Sequence, residues 1–438
     1  MNKSNVGRLL YRGKTKDICQ LKGSPDSLVL RNRPEITAFN DPKFTREFAS
    51  KAISATTTTC YIFSLLKQAG IPVGFIEQIS PTEFTTPLVK MLPIEMIARR
   101  YPVGSFLDRR PDLRQPPGVL PECFHRLIVE FFLKTGDGMI TGTSIKIPQI
   151  NSKKKEDPLI FNPYESLWTL CHPKKPTWEK GSTLCTFGPV QWKLGGITPS
   201  LLAQIEEMTR RVFLVLEGAW NTLGLRLIDF KIEFGLDANG NLVVADVIDN
   251  DSWRLRDAQW QELSKQAFRD GEELGAVEKK YALVAELSKR LRIPRQALLI
   301  WRGSDKDSVL GNVSLPKSVS PVQIIVSGHK SPQVTLDELE AVQAQYPDGG
   351  VIISAVGMSN GLGPILAART TWPVIALPLT VDQHPEDVWS SLRMPSRVPL
   401  MTVCNPKNAV LAALNILAAS NPEVYGSQRY DVECLDVK

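Results

Sequence analysis

Histidine is scarce in this 438-residue chain, at positions 125, 172, 329 and 384 only, so imidazole chemistry has few candidates. No Ser-His-Asp or Cys-His set is apparent, which argues against a covalent nucleophile of the hydrolase kind. The seven cysteines (19, 60, 123, 171, 185, 404 and 434) include no CxxC pair. That spacing excludes a disulfide framework or a zinc site and suits reduced intracellular thiols. No run of eighteen apolar residues occurs, and the opening MNKSNVGRLLYRGKTKD lacks the apolar core of a signal peptide. A cytoplasmic protein without membrane association is expected. Charge of one sign is also lacking: the net charge is +6, with 22% charged and 43% hydrophobic residues. Such a balance suits an anionic small molecule about as well as a nucleic acid. The basic run KKK at 153 to 155 is joined by no aromatic-basic module or groove-reading helix, so no nucleic-acid partner is expected.

What is present suggests two domains. LLYRGKTKDICQL predicts two strands around a basic turn, and SLVLRN a third. KAISATTTTCYIFSLLKQAGI has helical spacing and stops at Gly70. Short strands are predicted around VGFIEQI, TPLVKMLPIEMIARR and LIVEFFLK. From about 137 to 196 periodicity fails in a Pro-, Lys-, Ser- and Trp-rich stretch, which reads as a long excursion or lid. A helix over 199 to 222 follows, then LIDFKIEFGLD and NLVVADVID as a hairpin around Ala-Asn-Gly. VEKKYALVAELSKRL predicts an amphipathic connecting helix. After it ALLIW, VQIIV, GGVIISAV, WPVIALPL and PLMTVC are nearly unbroken apolar runs alternating with helices, the signature of a buried parallel sheet. The expected organisation is an α+β domain over 1–270, a linker helix within 271–295, and a three-layer α/β/α domain over 296–438.

Three clusters carry chemistry. Arg12, Gly13, Lys14 and Lys16 form a basic turn that could fold over phosphates. Alternation along IDFKIEFG puts Asp229, Lys231 and Glu233 on one face, opposite Asp246, with Asp249 and Asp251 just beyond. Such a row is either a surface salt-bridge ladder or a set of hard oxygen ligands suited to magnesium held with nucleotide phosphates. In PIEMIARRYPVGSF, Glu95, Arg99, Arg100, Gly104 and Ser105 could grip a phosphate or carboxylate, although arginines on a strand are by default exposed. In the second half three apolar strands end in RGSDKD, SGHKSP and GMSNGLGP. The carboxyl ends of parallel strands are where ligands bind, and His329 is the one histidine there.

The set YRGKTKD, ITAFN, PIEMIARRYPVGSF, DFKIEFG and ADVIDNDSWRL resembles SAICAR synthetase, an ATP-dependent ligase of purine synthesis, over most of residues 8 to 270. The resemblance implies that Arg12, Gly13, Lys14 and Lys16 sit against ATP and that Glu233 and Asp246 handle Mg2+. It implies a catalytic Lys231, and a phosphoribosyl-imidazole carboxylate held by Arg99, Ser105, Asp251, Ser252 and Arg254. The stretch TGDGMITGTSIKIPQINSKKKEDP departs from that family's usual short acidic segment. The three strand-end loops resemble the AIR carboxylase domain fused to this ligase in animals. That resemblance implies a catalytic His329 and Lys330, with substrate on Ser304, Asp307, Ser359, Asn360 and Gly361. Carbon dioxide would be added directly, without biotin, in a homo-octamer assembled through this domain. Here Lys306, the SGHK loop, Met358 and the short, proline-broken segment after Asp307 depart from the family pattern. A second expectation therefore stands beside the first: an active ligase whose second domain serves as an assembly or ligand-binding scaffold.

Overall fold

The computed structural model describes residues 6–13, 15–37, 42–48, 50–136, 138–141, 144–147, 157–188, 197–305 and 314–435. The chain divides into two compact units. One runs to Leu291 and takes in the chain again from Glu433; the other is Arg292–Val432.

In the first unit, β1 (Val6–Arg12), β2 (Lys16–Leu21), β3 (Ser27–Asn32), β4 (Gln78–Ser80) and β5 (Glu83–Pro87) form a sheet in the order β1-β2-β3-β5-β4. Between β3 and β4 lies helix α1 (Ser50–Gln68), whose end is set by Gly70 in the left-handed region, with the Ile71 N–H returning to the Leu66 carbonyl. The larger sheet contains β6 (Lys90–Arg99), β7 (Ile128–Leu133), β8 (Leu159–Ile160), β9 (Trp168–Cys171), β10 (Thr183–Phe187), β11 (Arg226–Leu236), β12 (Leu242–Ala245) and β13 (Trp253–Arg256). Its order is β10-β9-β8-β7-β6-β11-β12, and β13 also pairs with β11.

The alternation in IDFKIEF decides which way β11 faces. Phe230, Ile232 and Phe234 are buried, and Phe213 of helix α2 (Pro199–Asn221) meets Phe230 edge-on at 5.2 Å. Charged residues 229, 231 and 233 are thereby turned to the opposite face. Thr198 caps α2 by accepting from the Leu201 N–H, and Pro199 occupies the first turn.

Two readings of the sequence change. The described part of 137–196 is not a separate lid, because β8, β9 and β10 extend the large sheet. These strands are only a few residues long, so alternation had no room to show. The connecting helix, α3 (Leu274–Ser288), belongs to the first unit: Val277 and Tyr281 share a buried cluster with Ile36 and Phe48. Its apolar face is core-building.

The second unit is a five-stranded parallel sheet of β14 (Gln296–Arg302), β15 (Val319–Ile325), β16 (Gly350–Val356), β17 (Val374–Pro378) and β18 (Met401–Thr402), in the order β15-β14-β16-β17-β18. Alternate residues of β14 feed two cores. Leu298 and Ile300 pack with Ala409, Val410 and Leu414 of α6 (Pro406–Ala418), while Ala297, Leu299 and Trp301 pack with Leu339 of α4 (Pro332–Gln345) and Leu366 of α5 (Leu362–Ala367). The result is three α/β/α layers. The chain leaves β14 toward one neighbour and returns as β16 on its other side. The strand order therefore reverses at β14, which opens a crevice at the carboxyl ends of β14 and β16.

Candidate active sites

Register builds the first site. Across β6 and β11, Glu95 pairs with Glu233 and Ile97 with Lys231; across β11 and β12, Glu233 pairs with Ala245, so Asp246 follows directly. Asp246 adopts a φ of 67°, a left-handed conformation that an aspartate tolerates better than most residues. Three lysines meet these three carboxylates. Lys231 reaches Glu95 at 2.9 Å, Lys134 reaches Glu233 at 2.6 Å and Glu95 at 3.5 Å, and Lys16 pairs with Asp246. The carboxylates are mostly buried and Glu95 is shared by two lysines, which distinguishes the cluster from a surface salt-bridge ladder.

The protonation equilibria follow from this crowding. Burial and then the neighbouring charge of Asp246 push Glu233 above its ordinary value, against the pull of Lys134 and Lys231. Burial would also raise Glu95, yet Lys231 and Lys134 outweigh it and hold Glu95 low. Lys231 is raised, first by Glu95 and against desolvation. Among the described residues no group of three or more His, Cys, Asp or Glu side chains converges as a metal cage. Two repelling carboxylates are nevertheless what Mg2+ takes from a protein when phosphates and water complete its shell. Glu233 and Asp246 fit that role, since a bound cation would offset both the burial and the Asp246 charge that raise Glu233.

The basic turn lies beside this cluster. The Gly13 N–H donates to the Lys16 carbonyl at 2.8 Å, and a side chain at Gly13 would come within 2.7 Å of that oxygen. Arg12 is mostly exposed. Lys14 lies outside the described residues.

The segment after Asp246 splits into two roles. Asp251 accepts from Lys265 at 2.9 Å and from the Tyr281 hydroxyl at 2.5 Å, with Lys51 at 3.5 Å. Burial opposes its ionisation, but Lys265, Lys51 and Tyr281 win and place it well below the usual carboxylate range. Asp249 moves the other way, raised by burial and by Asp251. Asn250 accepts from the Trp253 indole at 2.9 Å and donates to the Leu263 carbonyl. Ser252 turns its hydroxyl toward the Val247 carbonyl, so its visible work is in shaping the loop.

The paired arginines overturn the expectation of exposure: Arg99 and Arg100 are 1% and 3% exposed. Arg100 is forked onto Glu217 at 2.7 and 2.9 Å. Arg99 donates to Glu130 at 2.8 Å and to Asp229 at 2.5 Å, and Asp229 also takes Arg254 at 2.5 Å. Arg254 is the more open of the two, with its guanidinium over Gly104; a side chain at Gly104 would lie 2.3 Å from Arg254 Nη2. Ser105 follows Gly104. Arg254 and Arg269 both donate to Gln266 Oε1 at 3.3 Å, so two guanidiniums flank one amide. Sequence reasoning missed Lys51, Lys134, Lys265 and Tyr281. No local pattern marks them, because each finds its carboxylate on a distant segment.

In the second unit a cavity of about 220 Å³ opens at the strand-order reversal and brings together Ser304, His329, Met358 and Ser359. His329 stacks so closely on Gly361 that a side chain there would fall 1.9 Å from its Nε2. Ser359 has a φ of 52°, and its N–H donates to Asp387 at 2.9 Å. Asn360 is buried behind the loop, donating to Ser391 and accepting from the Gly363 N–H. Lys330 is exposed next to His329. Asp307 and Lys306 lie outside the described residues.

Fold and side-chain geometry together give each unit a candidate site whose charged and polar groups suit anionic small molecules. A SAICAR synthetase family model matches residues 9–158 and 182–287, and an AIR carboxylase model matches 307–431. A probable multifunctional protein ADE2 from Caenorhabditis elegans is 34% identical, over 95% of this chain and 92% of that protein. The bifunctional phosphoribosylaminoimidazole carboxylase/phosphoribosylaminoimidazole succinocarboxamide synthetase of Homo sapiens is 31% identical, over 98% and 94%. A phosphoribosylaminoimidazole-succinocarboxamide synthase structure from Ehrlichia chaffeensis is 23% identical with a TM-score of 0.49, covering 64% of this chain and 98% of that one. The chain belongs to the SAICAR synthetase family, in the bifunctional form that carries an AIR carboxylase unit after the ligase.

Proposed function

We propose that this chain performs two steps of de novo purine synthesis: carboxylation of aminoimidazole ribotide to its carboxylate, and ATP-dependent ligation of that carboxylate to L-aspartate. The observation that carries the ligase reading is the cluster of Glu95, Glu233 and Asp246 with Lys16, Lys134 and Lys231. Phosphoryl transfer asks for charge neutralisation and positioning more than for a nucleophile, and this cluster supplies both signs of charge on strands or directly at their ends.

In the ligation, a substrate carboxylate oxygen attacks the terminal phosphorus of ATP, giving an acyl phosphate and ADP. The amine of aspartate then attacks the acyl carbon, loses a proton, and expels inorganic phosphate as the amide forms. Lys16 holds phosphate oxygens in this reading, with Arg12, Gly13 and Lys14 in the same turn. Lys231, kept protonated by Glu95, stabilises charge at the transferring group. Glu233 and Asp246 would hold Mg2+, which neutralises phosphate charge when bound. Arg254 and Arg269 face the anionic ribotide, with Arg99 and Ser105 beside them. Asp251 is kept ionised by Lys265 and Lys51 and orients cationic or hydroxyl groups, and Ser252 holds its loop. In the carboxylation a carbon–carbon bond forms between carbon dioxide and the imidazole carbon, and His329 takes the proton that carbon loses. Lys330, Ser304, Asp307, Ser359, Asn360 and Gly361 complete that site. A cytoplasmic location and a homo-octamer built through the carboxylase units belong to the same reading.

A second reading keeps ligation and drops carboxylation. It is favoured by Met358, one of the departures from the family pattern, which is 69% exposed at the cavity. Purified protein assayed separately for the two half-reactions decides between them. Ligation with carbon dioxide-dependent conversion supports the bifunctional reading; ligation alone supports the second, and absence of ligation refutes both.

A further inference from the structure

A chain of buried charges leads outward from Arg254 to a segment that the ligase family model does not match. Arg254 and Arg99 share Asp229, and Arg99 shares Glu130 with Arg109. Arg109 spans the last gap, with Nη2 on Glu130 Oε1 and Nη1 on the Pro173 carbonyl. Pro173 belongs to residues 159–181, the stretch outside that match. Three guanidiniums thus face two carboxylates, an excess of one positive charge.

Burial determines where that excess can be answered. The Arg99 and Arg109 side chains are 2% and 4% exposed, and Glu130 8%, whereas Arg254 is 16% exposed. An incoming anion therefore meets the surplus at Arg254. Desolvation and the like charge of Arg99 work against Arg109, whose guanidinium is lowered despite its bond to Glu130. A third buried cation is costly to retain and is expected to have a partner in the working complex.

We propose that Arg109, clamped by the Pro173 carbonyl, is a positioning residue for the anionic ribotide of the ligase site, acting through Glu130, Arg99 and Asp229 on Arg254. Its charge saturates Glu130, which leaves Asp229 as the shared partner of Arg99 and Arg254. With Arg109 neutral, Glu130 and Asp229 balance Arg99 and Arg254, and Arg254 is drawn inward. This inference rests on the ligase reading, and ligation by the unaltered chain tests that reading separately.

The experiment measures ligation kinetics of the full chain with Arg109→Gln and Arg109→Lys, varying the imidazole carboxylate ribotide and ATP in turn. Arg109→Gln is expected to raise KM for the ribotide about tenfold and leave KM for ATP within about twofold. Arg109→Lys keeps the charge but loses the planar fork, so an intermediate rise of about threefold is expected. If Arg109→Gln does not fold, Arg109→Lys carries the same split between the two KM values. Added to Arg254→Lys, Arg109→Gln should cause little further loss, because both act at one point. Parallel changes in both KM values, no change in either, or multiplicative losses in the double variant would each overturn the proposal.

Discussion

Tyr281→Phe removes one oxygen from the core of the ligase unit and tests the charge logic around Asp251. The ring is 1% exposed and meets Phe48 edge-on at 5.6 Å, so the phenyl replacement keeps its packing. What disappears is the hydroxyl donating to Asp251 at 2.5 Å, a bond to a charged acceptor that contributes about 1.5–3 kcal/mol. Lys265 and Lys51 remain, so Asp251 stays ionised at neutral pH but less depressed. The sign with pH follows. A carboxylate whose folded value lies below its unfolded value of about 3.9 contributes stability that is fully present above that value and is lost as pH falls below it. The variant should therefore unfold at lower urea than the parent at pH 7, by about 1.5–3 kcal/mol. That difference should shrink as the pH is lowered past about 4. The transition to follow is the one that ATP shifts, since only the nucleotide-binding unit responds to it. A gap under about 0.5 kcal/mol at pH 7 would refute the reasoning, because it falls below even a neutral hydrogen bond. So would a gap that widens on acidification.

Four further outcomes are expected. Glu233→Gln and Asp246→Asn should each abolish ATP-dependent ligation while leaving carbon dioxide-dependent turnover intact; undiminished ligation in either would refute the Mg2+ assignment. Gly361→Ala should do the reverse, because its methyl would displace His329 from the second cavity. Lys134→Met removes a cation that lowers Glu233, so the acidic limb of the ligation pH profile should move to higher pH. Lys16→Met should weaken ATP binding yet tighten Mn2+ binding in the absence of nucleotide, measured by calorimetry, since it frees the Asp246 carboxylate.

How much of this was legible in the sequence depends on the range over which each feature is encoded. Local features could be read. The Asn-Gly turn, the Gly70 stop and the alternation in IDFKIEF are set by residues a few positions apart, and the structure keeps them. The parallel sheet was equally open to reading, because strands buried on both faces leave unbroken apolar runs. The strands within 159–187 were not, since elements of two to five residues carry almost no period. The buried charges were hidden for another reason. Arg99 looks the same in sequence whether solvent or Glu130 answers it, and Glu130 lies 31 residues away. Lys51 sits in the first turn of a helix rich in threonine and serine and finds Asp251 only through the packing of α1 against the loop after β12. Desolvation makes such a cation costly unless a carboxylate meets it, so burial and pairing are settled together by tertiary structure. A short motif such as ADVIDNDSWRLR can therefore nominate the acids. Which of them stays charged, and which is pushed toward protonation, is decided by lysines that no local pattern points to. Asp249 and Asp251 show this most clearly: two residues apart, they are driven in opposite directions by the same pocket.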